Sequence, residues 1–162
     1  MSLAKRARDL PAYEPGCRYG SVCGFNNVYN YSSDAQLLED AIVGFARSVD
    51  IAVTVTSRLR SCCEQARLFD QGATTARPTT SQHEFGFAFD VVPTSGYSRY
   101  DATRADAIAW LIALAKFYGG DGLVEASHAH VQVFRNDRWT EMIAGRDVVF
   151  SIPIPGGSGK KR

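Results

Sequence analysis

The chain has 162 residues, of which 45% are hydrophobic and 22% charged, and its net charge at pH 7 is +1. That length suits one domain able to bury about 70% of its unfolded surface. The balanced charge gives no electrostatic case for nucleic acid or an anionic membrane as partner, and no apolar run approaches the roughly 18 residues of a membrane span.

Residues 1–32 are rich in Gly, Pro, Tyr and Asn without a sustained period, and read as an irregular lead-in packed on the domain. Their first stretch, "MSLAKRARDLPAYEPG", carries basic residues with no apolar segment behind them, so no secretory signal is expected. A main domain is expected over 33–152. It opens on "SSDAQLLEDAIVGFARSVD", an amphipathic helix with a Ser33/Asp34 cap and apolar residues at 37, 38, 42, 45 and 46. "IAVTVTS" alternates and is β-branched, hence a strand. "SCCEQARLFDQG" reads as a helix closed by Gly72, and "ATTARPTTSQ" as a polar loop. "FGFAFDVVP" predicts a buried strand ended by Pro93. "DATRADAIAWLIALAKFYGG" is a capped helix with a glycine stop, "HAHVQVF" is a strand, and "DVVFSIPIP" suggests a last short one. Residues 153–162, ending in "GSGKKR", read as a flexible solvated tail. This order of elements implies an α+β fold, with helices packed on a small, largely antiparallel sheet.

The four cysteines, Cys17, Cys23, Cys62 and Cys63, lack zinc-finger spacing. Cys17 and Cys23 are close enough in sequence for a loop disulfide without requiring one. Cys62 and Cys63, adjacent on a helix, point in different directions. The count leaves the redox compartment open.

The three histidines fall in only two segments, "TTSQHEFGFAFDVVP" and "EASHAHVQVF". Ligands of one zinc ion bring their donor atoms within about 4 Å of each other. His83 and Asp90, seven apart, would lie roughly 24 Å apart along a straight strand and about 10 Å along a helix, so both can serve only if the chain bends between them. Gly86 can supply that bend. Asp90 follows "FAF", and a carboxylate there is costly to bury unless it is paired or binds metal. His128 and His130, two apart on a strand, share one face, and either can complete a metal site with the carboxylate of Glu125 just upstream. A metal-activated water beside a carboxylate is the arrangement that hydrolyses peptides.

At these residues the sequence resembles the zinc peptidases of the D-alanyl-D-alanine carboxypeptidase and L-alanoyl-D-glutamate endopeptidase family, VanY-like enzymes that include phage endolysins. The family's S-x-H-x-x-G-x-A-x-D is met by Ser81, His83, Gly86, Ala88 and Asp90. "SRLRSCCEQ" is similar to its S-G-Y-R-S followed by Gln, at Ser57, Arg60, Ser61 and Gln65. "LFDQG" is similar to an L-Y-x-Q-G of many phage members, and "HAHVQ" resembles the H-x-H or P-H-x-E segment of the third ligand. About 100 residues, from the first helix to Phe134, are covered.

The resemblance implies a single Zn²⁺ per chain on the sheet, held by His83, Asp90 and His130 with water in the fourth place. Arg60 would stabilise the oxyanion or hold a substrate carboxylate, and Ser81 would bind substrate or order its loop. Glu125 would be the general base, with His128 beside the substrate. In many members the acid stands three residues before the third ligand, which fits Glu125 and His128. That leaves His128 as the alternative ligand, or both histidines as ligands of a closed, structural site. "HVQ" favours His130.

The implied function is cleavage of peptidoglycan stem peptides by an endolysin-like L-alanoyl-D-glutamate endopeptidase. A D-alanyl-D-alanine carboxypeptidase or dipeptidase is the alternative within hydrolases. A non-catalytic zinc-containing binding module, as in the similar Hedgehog fold, is the alternative outside them. A monomer is expected, made in the cytoplasm and reaching the wall after lysis-type release or on a virion.

Overall fold

The computed structural model describes Cys23 and residues 30–144. Most of the expected lead-in, the last short strand and the tail lie outside the described residues. Two compact units are distinguished, one of Tyr31–Arg58 with Phe87–Asn136 and one that includes Leu59–Gly86 and the stretch from Asp137.

The first unit is α+β. Helix α1 (Ser33–Ser48) starts one residue earlier than its sequence suggests, because Ser32 rather than Ser33 or Asp34 is the cap. Ser32 is extended, and its hydroxyl accepts the Ala35 N–H at 3.0 Å. Its buried stripe is Ala35, Leu38, Glu39, Ile42 and Ala46. Leu37 and Phe45, expected inside, lie off that stripe and are 68% and 42% exposed. Strand β1 (Ala52–Ser57) follows, then β2 (Ala88–Ser95), a 3₁₀ turn (Tyr97–Tyr100), helix α3 (Arg104–Phe117), β3 (Asp121–Glu125) and β4 (His128–Gln132); α2 belongs to the other unit.

The four strands form one antiparallel sheet in the order β1-β2-β4-β3. Pro93 does not end β2, which runs on to Ser95. Pairing with β4 stops at Val91, so beyond it Pro93 faces only Val53 of β1 and its missing N–H breaks no ladder on the other side. Strand β3 carries too weak an alternation to be read from sequence. It is an edge strand, with Val124 exposed, and its hydrophobic pattern is correspondingly blurred.

Alternation along β2 and β4 divides the sheet into two faces. Phe89, Val91, Ala129 and Val131 meet Leu38 and Ile42 of α1 and Ile108, Leu111 and Ala115 of α3 in one core. The intervening residues, Ala88 and Asp90 on β2 and His128, His130 and Gln132 on β4, therefore occupy the face away from the helices.

In the second unit, α2 (Cys62–Asp70) is capped by Ser61 and ends before Gly72, whose φ of +71° continues no helix. Cys23 pairs with Cys62 rather than with Cys17. Cys63 is disulfide-bonded too, and among the described residues no cysteine is free. Neighbouring helical cysteines diverge, so each takes its own partner. Helix α4 (Asn136–Ala144), which sequence periodicity misses, buries only Trp139. That indole stacks edge-on against Phe85 at 5.3 Å and donates to the Thr80 carbonyl at 2.6 Å.

Candidate metal centre

Asp90 and His130 are direct partners across β2 and β4, so their side chains rise from the same face at neighbouring points. Burial of either alone would be costly, but they meet: His130 Nδ1 lies 3.2 Å from Asp90 Oδ1. Gln132, two residues on and on the same face, sets the imidazole. Its Nε2 donates to the Phe134 carbonyl at 2.9 Å and to Asn136 Oδ1 at 2.8 Å, which turns Oε1 towards His130 Nε2 at 2.9 Å. An amide oxygen only accepts, so His130 Nε2 carries the hydrogen. The Nδ1 lone pair then faces a carboxylate oxygen, and two electron pairs at that distance require a cation between them, either a proton or a metal ion. Without metal, the His130 pKa is raised. Burial works against the charged form, but the hydrogen bond and charge of Asp90 and the charge of Glu125 outweigh it.

His83 belongs to a turn held by three successive backbone bonds, from Glu84 to Ser81, Phe85 to Gln82 and Gly86 to His83. Gly86 has a φ of +76° and provides the bend that the spacing to Asp90 demands. The Ser81 hydroxyl accepts the His83 N–H at 3.2 Å and so orders the loop. The fully buried Glu84 does the same with both carboxylate oxygens, accepting from Thr79 N at 2.8 Å and Ser81 N at 3.0 Å. Burial pushes the Glu84 pKa up to about 8, against the pull of those N–H groups and of Arg60. The Arg60 N–H donates to the His83 carbonyl at 3.3 Å, and its Nη1 to Gln65 Oε1 at 2.8 Å.

One donor atom from each of His83, Asp90 and His130 lies within 4.8 Å of the other two, and all three residues are buried. Two imidazoles and a carboxylate are a zinc-type donor set, and the Gln132 bond to the far side of His130 is the kind of outer contact that fixes a ligating imidazole. The three residues thus form a group that can hold a metal ion.

His128 is not in that group. It joins Asp90 and Glu125 in a second one, whose donor atoms also lie within 4.8 Å of one another. Glu125 and His128 are cross-strand partners closing the two-residue turn between β3 and β4, where Ala126 takes a φ of +46°. His128 Nε2 is 3.5 Å from Glu125 Oε2 and 3.4 Å from Asp90 Oδ1.

The residues expected from sequence thus fall into two sets, one drawn from the sheet and one from the 59–86 segment. Gln132 and Glu84 were not anticipated in any role. The signal for Gln132 was present in "HVQ", since a polar residue two after a strand histidine shares its face. Glu84 gave none beyond being a carboxylate in a turn.

No family model and no curated protein matches the chain. Among solved structures it is similar to the LdcB LD-carboxypeptidase, whose structure reveals the molecular basis of peptidoglycan recognition. The TM-score there is 0.48 at 20% identity, over 75% of this chain and 78% of that one. It is also similar to DacB from Streptococcus pneumoniae D39, with a TM-score of 0.47 at 18% identity, over 75% of this chain and 77% of the other.

Proposed function

We propose that the chain is a zinc-dependent peptidase that hydrolyses the stem peptides of peptidoglycan, cutting between L-alanine and D-glutamate. The observation that carries this reading is the buried group of His83, Asp90 and His130 with a further carboxylate, Glu125, whose oxygen lies within 4.8 Å of that of Asp90. The substrate class is supported by the resemblance of Ser81, His83, Gly86, Ala88 and Asp90 to the peptidoglycan peptidase motif.

Zinc held by His83, Asp90 and His130 supplies a Lewis acid for the scissile carbonyl and lowers the pKa of water towards about 7. Glu125 takes a proton from the attacking water as its oxygen bonds to the carbonyl carbon, and passes that proton to the leaving nitrogen as the C–N bond breaks. His128, flanked by two carboxylates, sits on the substrate side. Arg60, its guanidinium fixed by Gln65, holds a substrate carboxylate or the developing oxyanion. Glu84 and Gln132 touch no reacting atom in this scheme; they position His83 and His130.

The test is Glu125→Ala. Hydrolysis is expected to fall by roughly 10²–10⁴-fold while the protein keeps one equivalent of zinc at the His83 group. Loss of that equivalent would make Glu125 a ligand and overturn its role as base.

A further inference from the structure

We propose that Leu123 determines specificity: its side chain is the apolar wall that receives the alanine methyl beside the scissile bond and turns larger residues away. This rests on the proposed function and adds a pocket wall to that same site. Leu123 is the direct cross-strand partner of His130, as Glu125 is of His128. Cross-strand partners share a face, with Cβ atoms about 5 Å apart. Leu123 therefore rises from the site face beside His130, and Glu125 follows about 7 Å along the same strand. Among the described residues, Leu123 and Val124 are the only exposed large apolar side chains on the sheet, at 36% and 57%. Val124 pairs with Ala129, a residue of the helix-covered core, and so belongs to the other face. Single exposed leucines are common on protein surfaces, but this one stands among Asp90, Glu125, His128, His130 and Gln132. Ala88, apolar and on the same face, is fully buried.

The backbone fixes this placement. All five residues of β3 pair with β4 without a shift in register. Gly122 permits the close approach of the two strands, since a Cβ there would meet the His130 carbonyl oxygen at 2.7 Å and Ile112 at 3.4 Å. A slip of one residue would turn both Leu123 and Glu125 to the helix face, so wall and base keep a constant separation.

A leucine wall suits a methyl group and offers nothing to a carboxylate. At the proposed bond between L-alanine and D-glutamate, alanine carries the only apolar side chain, and a bond between two D-alanines would present a methyl as well. A branched side chain in the same place would press on Leu123 and carry the scissile carbonyl away from the water that Glu125 activates. One methylene more or less in such a pocket changes the rate by roughly 10–200-fold.

The experiment compares stem peptides with glycine, alanine, valine or leucine at the residue that supplies the scissile carbonyl. kcat/KM is measured with the zinc-loaded full chain, and affinity by calorimetry in the Glu125→Ala background, where turnover is slow. Wild type is expected to prefer alanine to leucine by roughly 10–200-fold. Leu123→Ala should cut that preference by about 10-fold or more with zinc content unchanged, and Leu123→Phe should move it towards glycine. Val124→Ala, one residue along but on the other face, should change neither ratio. Ratios unmoved in both Leu123 variants, or moved equally by Val124→Ala, would overturn the role of Leu123. If the peptides are nevertheless cleaved, the peptidase reading survives that loss. Affinity ratios that shift with Leu123 while no peptide is cleaved would keep the wall and overturn the peptidase. Neither binding nor cleavage of any stem peptide would overturn both.

Discussion

Gln132 shows how a residue outside the candidate ligand group can set the orientation of one of its members. Its amide is locked by Phe134 and Asn136, and this leaves His130 a single tautomer. Gln132→Leu should therefore weaken zinc binding by roughly 10–100-fold, read by competition with a chelating dye, with little change in the fold of the metal-free protein. His83, Asp90 and Gly86 stood out in the sequence through the motif they share, and the donor atoms of His83, Asp90 and His130 lie within 4.8 Å of one another. For Gln132 the sequence showed only that it shares a face with His130; that its amide is held by Asn136, a residue beyond the strand, took the fold to show. Ala126 is a second case. A non-glycine residue at a φ of +46° is strained, so Ala126→Gly should stabilise the protein by roughly 0.5–1 kcal/mol in denaturant unfolding. Unchanged stability would mean that the turn is not strained.

Helix α3 owes its start to a reciprocal cap. The Thr103 hydroxyl accepts from Asp106 N at 3.1 Å, and the Asp106 carboxylate accepts from Thr103 N at 2.8 Å. Thr103→Ala should cost about 1 kcal/mol. The same box sets a pH dependence. The Asp106 pKa lies below its ordinary 3.8 because the Thr103 N–H and then the Thr103 hydroxyl bond the charged form. A depressed carboxylate pKa contributes stability that is present above the unfolded value and lost as pH falls through the folded one. The difference in melting temperature between wild type and Asp106→Asn should accordingly be constant down to about pH 4 and shrink below it. The long helices were readable, α1 by its apolar period and α3 by its cap and glycine stop, as were β1, β2 and β4. Strand β3 and helix α4 were not, because an exposed edge strand and a helix burying one tryptophan leave almost no periodic trace. The true ends of α1 and β2 depended on a cap hydroxyl and on where β4 stops pairing.

For the protein as a whole, the proposed zinc site would link metal and fold. Zinc at 100 times its dissociation constant should stabilise the native state by about 2.7 kcal/mol. His83→Ala should lose the bound zinc together with that increment; a variant that keeps its metal and its zinc-dependent melting shift would remove His83 from the ligand set. The Cys23–Cys62 bridge, with a sequence separation of 39, should add roughly 3–4 kcal/mol by restricting the unfolded chain. No spacing rule reveals that pairing, because it joins segments that only the fold brings together.

The most direct test of the central claim is digestion of purified sacculi by the full chain at one equivalent of zinc, with and without chelator, the released fragments being read by mass spectrometry. New amino ends on D-glutamate, abolished by chelator and by Glu125→Ala, are the predicted result. Release of terminal D-alanine alone would keep the peptidase but move the scissile bond. A chain with one zinc bound that frees no peptide from several wall chemistries would contradict the account and make the centre a binding module's.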